Sequence, residues 1–232
     1  MERSHASSRG PIPAHAVLYR PAAACGLEFG AMFRPAFDPR PTVLAGTHVA
    51  LQPLELAHAK DLFAAGVDDA TWVHMPRSAP RSVADAESMI RQALIETEAG
   101  REVAFAIVAL ASGKAVGSTR FLDIQRPHRA LEIGWTWIGA PWQRTAINTE
   151  CKLLLLRHVF DELLAHRVTL KTDARNLRSQ RAIERIGGVR EGVLRRNRVC
   201  WNGFVCDTVY YGIVDHEWPH VKTRLEGMLA PR

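Results

Sequence analysis

From residue 47 onward the apolar positions fall into two clear periods. THVALQPL (47–54) alternates as a strand does, and LELAHAKDLFAAG (54–66) places Leu56, Ala59, Leu62 and Phe63 at helical spacing before Gly66 closes the element. Ser82 can cap a second helix, SVADAESMIRQALIETEAG, which carries Asp85 in its first turn and ends at Gly100. Three strands are predicted next: EVAFAIVAL, KAVGSTRFLDI after the Ser112-Gly113 turn, and ALEIGWTWI after the polar turn QRPHR. Beyond Trp137 the order changes to a loop, a long helix from about Thr149 to Leu164, a strand RVTLKTD and a helix from Asn176 to Ile186. Two strands, GGVREGVLRRNRVC and FVCDTVYYGIV, and a closing helix, EWPHVKTRLEGML, complete the chain. The expected order is βααβββαβαββ plus a C-terminal helix, an α/β fold with a mixed sheet. The strands at 130–138 and 167–172, joined through a helix, should lie parallel.

Residues 1–46 are rich in Pro, Ala, Ser and Arg and show neither period, which predicts a mobile N-terminal arm ahead of one domain over 47–232. Met32, opening MFRPAFDPRPTVLAG, offers a translation start of its own.

The 232 residues, 47% hydrophobic and 23% charged, are enough to build a sizeable core. The longest apolar run, Val103 to Ala111, is about half of what a bilayer crossing needs, so no membrane span is expected. The N-terminus lacks the charged start and apolar stretch of a secretory signal. Cys25, Cys151, Cys200 and Cys206 form no CxxC pair, and no His/Cys set has zinc spacing. Reduced thiols, a cytoplasmic location and no metal are the expectation. A formal charge of +6 suits nucleic acid, an anionic small ligand or an acidic protein surface equally.

WQRTAINTECKLLLLRHVF (142–160) reads as a tight loop feeding a helix whose buried face is Leu153, Leu154, Leu156, Val159, Phe160, Leu163 and Leu164. A helix start leaves backbone N–H groups unpaired and carries partial positive charge, so Gln143 to Asn148 could cradle a phosphate, with Arg144 adding a cation. Taken alone, the same residues are explained more simply by Asn148 or Thr149 capping a core helix. Further on, NLRS (176–179) follows a strand and opens a helix, with Asn176 as a natural N-cap and Ser179 on the first turn.

The element order, EIGWTW before the loop and NLRSQRAIERIGG after the next strand together resemble the GNAT superfamily of acetyl-CoA-dependent N-acetyltransferases, most closely its Rim-type members, over about Thr47 to Val214. The resemblance implies a mostly antiparallel GNAT-like sheet flanked by helices, and acetyl-CoA as co-substrate. It implies that the loop, in the family Gln/Arg-x-x-Gly-x-Gly/Ala, wraps the CoA pyrophosphate. Gln143 matches its first position, whereas Ala146 and Asn148 stand where a glycine and a small residue belong. The implied cofactor contacts run over Gln143, Arg144, Thr145, Ala146, Ile147, Asn148 and Thr149. The N–H groups near Trp137 and Ile138 would hold the pantetheine amide or the thioester carbonyl. Asn176 would touch the pantetheine or adenine side, and Ser179 would lie near the thioester sulfur.

Amine acetylation needs a base, oxyanion donors and an acid for the leaving thiolate. Strict alternation in LEIGWTW puts Leu131, Ile133, Trp135 and Trp137 on one face and Glu132, Gly134 and Thr136 on the other, confining a carboxylate to an apolar strand and making Glu132 the candidate base. Glu132 could equally brace Arg120 or Arg129 on the neighbouring strand. Trp72, His74 and Met75 in TWVHMPRS, with Trp201 and Asn202 in CWNG, could line a substrate entrance or simply pack. The run VLRRNRV (Arg195, Arg196, Arg198) could meet RNA, a ribosomal surface or the CoA 3′-phosphate, or be a solvated strand face.

The acceptor suggested by the Rim-type resemblance is a protein N-terminal α-amine. The alternatives are a small amine (polyamine, amino acid or antibiotic) and a non-catalytic acyl-CoA-binding or RNA-associated module. A homodimer is compatible with the sequence, a membrane partner is not expected, and nucleic acid is the weaker partner.

Overall fold

The computed structural model describes residues 36–230; the remainder of the arm, Met32 and Cys25 lie outside the described residues. The elements run β1 (Leu44–Ala45), β2 (Val49–Pro53), α1 (Ala59–Ala65), α2 (Val83–Glu98), β3 (Val103–Ala109), β4 (Lys114–Gln125), β5 (Ala130–Ile138), α3 (Ala146–Arg157), β6 (Arg167–Asp173), α4 (Leu177–Arg185), β7 (Val189–Val199), β8 (Val205–Val214) and α5 (Trp218–Leu229). Apart from the two-residue β1, this is the order read from the sequence. The strands form one sheet in the order β1-β2-β3-β4-β5-β6-β8-β7. Its neighbours are antiparallel except β5 and β6, which are parallel as expected. None of the described helices is long and apolar enough to cross a membrane.

Both faces of the sheet are covered at β3, so that strand reads as continuous apolar sequence. Val103, Phe105, Ile107 and Ala109 enter the core beneath α3 and α5, which includes Leu153 to Leu156, Trp218, Val221 and Leu225. Ala104, Ala106 and Val108 face α1 and α2, where small side chains let Leu62, Ile90 and Trp72 approach the sheet closely. Ser82 caps α2 as expected, its side chain accepting from Asp85 N–H at 3.1 Å.

The domain begins earlier than Thr47. Phe37 is buried in the core, β1 pairs with β2, and Asp38 meets Arg126 at 3.3 Å, all within the stretch expected to belong to the arm. The physical reason is Glu150 on α3. Its buried carboxylate accepts from the backbone N–H groups of Thr47 (2.8 Å), His48 (2.6 Å) and Val49 (2.8 Å), tying the β1–β2 turn to the helix. A periodicity argument cannot see a tie between residues about a hundred positions apart.

Candidate functional site

β5 and β6 pair only over Ala130–Glu132 against Arg167–Thr169, and then part. What re-aims β5 is a β-bulge: Ser118 pairs with Trp137 and Arg120 with Gly134, so Trp135 and Thr136 together oppose Thr119. Trp135 sits in the left-handed region at φ 50°. The expected alternation along LEIGWTW therefore fails at Trp135. Leu131 and Ile133 enter the core under α3, whereas Trp137 joins the α1/α2 core, its ring 4.8 Å from that of Trp72. Thr136 turns toward α3, where its Oγ1 accepts from Lys152 Nζ at 2.8 Å and lies 2.8 Å from Thr119 Oγ1.

Of the two N–H groups expected to face a ligand, the ladder selects one. Gly139 N–H donates to the Val116 carbonyl across the Ile138–Gly117 pair, so Ile138 is a pair without mutual bonds and its own N–H points away from β4, into the gap. Trp137, one residue earlier, directs its N–H into β4.

Glu132 stands at the head of this fork, 3% exposed. Its partner is Lys171 on β6, Nζ to Oε2 at 2.6 Å, rather than either arginine suggested by the sequence. Arg120 is engaged with Glu102 at 2.8 Å and lies 4.5 Å from the Trp135 ring, and Arg129 reaches the Leu164 carbonyl at 2.8 Å. Burial pushes the Glu132 carboxyl above the usual carboxylate range, and Lys171 partly offsets that shift. The result is a carboxylate poised nearer neutrality, beside the one stretch of β5 free of a neighbouring strand on that side.

The helix after the loop starts three residues earlier than expected. Thr145, not Asn148 or Thr149, is the N-cap of α3, its side chain accepting from Ile147 N–H at 3.3 Å and donating to the Trp142 carbonyl at 2.7 Å. Ala146 and Asn148 are consequently the first and third helical residues, where the backbone needs no glycine. The single left-handed residue of the loop is Arg144, at φ 62°. This resolves how a loop without glycine makes the turn. The N–H groups of Ala146 and Asn148 belong to the unpaired first turn. Thr149 does not: it is buried, and its hydroxyl accepts from Arg185 at 3.1 Å. At its other end α3 runs into a π-helical turn, His158–Glu162, so the apolar stretch ends short of Leu164.

Gln143 is braced rather than free, its Nε2 donating to the Ile138 carbonyl at 2.8 Å and its Oε1 accepting from Arg178 at 2.7 Å. Arg178, on the first turn of α4, links that helix to the loop. Asn176 caps α4, its side chain accepting from Ser179 N–H at 3.0 Å, which places Ser179 on the first turn as read from the sequence. An extended anionic thioester fits what these residues offer: a free strand-edge N–H at Ile138, an unpaired helix N-terminus, and the exposed cations Arg144 and Arg178.

The residues expected to line a substrate entrance separate. Trp72 is buried, donates from Nε1 to the Gly66 carbonyl at 2.8 Å, and lines a small cavity of about 20 Å³ with Leu54, Met89, Arg120, Trp135 and Trp137. Trp201 is exposed at the β7–β8 turn, and His74 lies beside Asp173, their Nδ1 and Oδ2 3.8 Å apart. Neither lines that cavity. Arg195 and Arg196 are exposed on β7, the edge strand, where charge discourages further strand pairing.

Sequence reasoning missed Lys171, Arg178 and the Lys152–Thr136–Thr119 chain. Lys171 could have been found, since Thr169 and Lys171 alternate with the apolar Val168 and Leu170 on a strand expected beside Glu132. The bulge that turns Thr136 toward Lys152 leaves no trace in periodicity.

Residues 48–189 match the family described as the acetyltransferase (GNAT) domain. A curated relative, "Putative ribosomal N-acetyltransferase YdaF" of Bacillus subtilis, is 31% identical over 109 residues, 47% of this chain and 58% of the relative, so the match spans little more than half of that protein. Among solved structures, a GCN5-related N-acetyltransferase from Brucella melitensis superposes with a TM-score of 0.80 at 29% identity, covering 87% of this chain and 91% of that one. A "putative acetyltransferase" from T. thermophilus gives 0.75 at 36% identity, covering 83% and 99%. With its fold, its forked strands and a family match over more than half its length, the chain belongs to the GNAT family of acetyltransferase domains.

Proposed function

We infer that the protein is an N-acetyltransferase that uses acetyl-CoA to acetylate a primary amine, with a protein N-terminal α-amine as the first acceptor. The observation that carries this reading is Glu132, a buried carboxylate with a raised pKa at the head of the β5–β6 fork, paired to Lys171. Acetyl-CoA, when bound, supplies the activated acyl group. Glu132 accepts the proton lost by the acceptor through a chain of waters, and the Ile138 N–H offers a donor to the pantetheine amide at the free edge of β5. The first turn of α3, with Arg144 and Arg178, holds negative charge away from the reacting end. Ser179, one turn into α4, is the hydroxyl assigned to the leaving thiolate.

Support for a peptide acceptor comes from the relative's description as a ribosomal N-acetyltransferase. A cytoplasmic location accords with such an acceptor. The test is thiol release from acetyl-CoA with a panel of N-terminal peptides, polyamines, free amino acids and aminoglycosides. Turnover with peptides bearing a free α-amine, abolished by blocking that amine, supports the reading. Selective turnover of a small amine would replace the acceptor, and binding of acetyl-CoA without turnover of any amine would favour a non-catalytic module.

A further inference from the structure

We propose that His74, Asp173, Cys200 and Cys206 form a binding site for one divalent transition-metal ion of the zinc type, pinning the β7–β8 hairpin to the end of β6. Asp173 is the last residue of β6, while Cys200 and Cys206 flank the tip of the hairpin. One donor atom from each of these three buried residues lies within 4.8 Å of the others. Cys200 Sγ stands 3.9 Å from Asp173 Oδ2, and His74 Nδ1 approaches the same oxygen at 3.8 Å. That nitrogen is buried and has no hydrogen-bond partner among the described residues. In a tetrahedral zinc site with bonds of about 2.0–2.3 Å, neighbouring ligand atoms lie roughly 3.3–3.8 Å apart. The Cys200–Asp173 and His74–Asp173 separations are close to that spacing; His74 stands outside the set of donors within 4.8 Å of one another, so binding requires side-chain rotation of His74 and of the two cysteines to close on the ion.

The surrounding charge also favours a cation bound by thiolates and a carboxylate. Two thiolates and one carboxylate around a dication leave one negative charge, and Arg175 supplies the compensating positive charge. Its Nε donates to Asp173 Oδ1 at 3.0 Å and a terminal nitrogen to Oδ2 at 2.6 Å, with the same nitrogen 3.8 Å from Cys200 Sγ. Arg198, which bonds Cys206 and donates to the His74 carbonyl at 3.3 Å, is a second neighbouring cation, so the thiolates and the carboxylate are not left as isolated negative charge. The hairpin presents both sulfurs to one place: Cys200 N–H donates to the Phe204 carbonyl at 2.8 Å, Gly203 N–H to the Cys200 carbonyl at 2.9 Å, and Gly203 makes the turn at φ 82°. Counting cysteine spacing hid this set because its other two ligands come from distant segments.

The experiment uses the full chain, purified under reducing conditions and stripped with a chelator, and titrated with cobalt(II). The expected result is one equivalent bound, with near-ultraviolet thiolate-to-cobalt absorption and intense tetrahedral visible bands that one equivalent of zinc(II) displaces. Cys206→Ser should halve the thiolate band, and His74→Ala should weaken cobalt binding at least tenfold. Absence of these bands in the wild-type chain would overturn the proposal. So would their persistence in Cys200→Ser/Cys206→Ser, or a Cys200–Cys206 disulfide found by peptide mapping in protein purified without added reductant. Because the readout is spectroscopic on the wild-type chain, it is independent of variant folding and of acetyl transfer.

Discussion

Lys171 Nζ meets Glu132 Oε2 at 2.6 Å two residues beyond the last β5–β6 rung, so the candidate base is held by a cation on the strand that diverges from it. Burial raises the Glu132 pKa and Lys171 lowers it, which fixes the sign of two outcomes. Lys171→Met removes the lowering influence, so the acid limb of kcat/KM should move to higher pH and activity near pH 6 should fall more than at pH 8. Glu132→Gln should lower kcat by about 10²–10⁴ at pH 7 while leaving acetyl-CoA affinity intact. A carboxyl with a raised folded-state pKa favours folding at acid pH, and that contribution fades as pH rises through the raised value. Glu132→Gln, which mimics the protonated carboxyl, should therefore match wild-type stability at acid pH and exceed it at pH 8. An unchanged pH profile in Lys171→Met would remove the coupling.

The position of Ala146 makes proline an unusually clean probe. Proline suits the first helical residue, and Thr145 before it already holds the extended backbone that a following proline requires, at φ −107° and ψ −177°. Ala146→Pro should thus keep α3 intact and delete one N–H donor. A lost hydrogen bond to a charged group is worth about 1.5–3 kcal/mol, or roughly a tenfold to hundredfold weaker Kd for acetyl-CoA with Tm unchanged. Calorimetric titration reads the affinity, and undiminished binding would move the anion away from this turn.

Much of this architecture was legible because it is written in period. β3 to β5, α2, and the β6–α4 unit follow from alternation, helical spacing and caps at Ser82 and Asn176. What escaped was decided by single residues leaving their period. Trp135 at φ 50° inserts the bulge that moves Trp137 and Thr136 to faces opposite to those expected, and Arg144 at φ 62° starts α3 early. The ties of Glu150 to the β1–β2 turn and of Lys171 to Glu132 are long-range, with no local signature. Glu132 itself was legible, since a lone carboxylate in an apolar strand is visible without coordinates.

Lys152 is a cation buried in the core. It is fully buried, and the one hydrogen bond of its amine among the described residues goes to Thr136 Oγ1, which also has Thr119 within reach. Burial holds its pKa below the usual lysine range. A depressed lysine pKa means that the unfolded chain binds the proton more tightly, so stability should rise with pH between the folded and unfolded values. Lys152→Met, close in volume, should remove that alkaline rise. It should also stabilise the fold at pH 7 by about 1–2 kcal/mol, because Thr136 keeps Thr119 as a partner. Urea unfolding at pH 7 and pH 9.5 measures both, and a destabilised variant would mean that the amine holds the bulge in place.

Glu150 predicts the opposite outcome for an equally buried group. Its carboxylate satisfies three consecutive N–H groups, those of Thr47, His48 and Val49, and it fills the space beside Gly46, where an added Cβ would fall 2.5 Å from the carboxyl carbon. Glu150→Ala leaves those donors without their acceptor at the point where the chain enters the sheet, and should cost about 3 kcal/mol or more. Glu150→Gln keeps the shape and one acceptor oxygen, but turns an NH₂ group toward the remaining donors, so its loss should be smaller but clear. Hydrogen exchange distinguishes a local effect from a global one. In Glu150→Ala, protection should fall first at residues 47–51 and at β1, with β4 and β5 following only when the whole domain opens. Uniform loss across the sheet at low denaturant would show instead that this edge is part of the cooperative core.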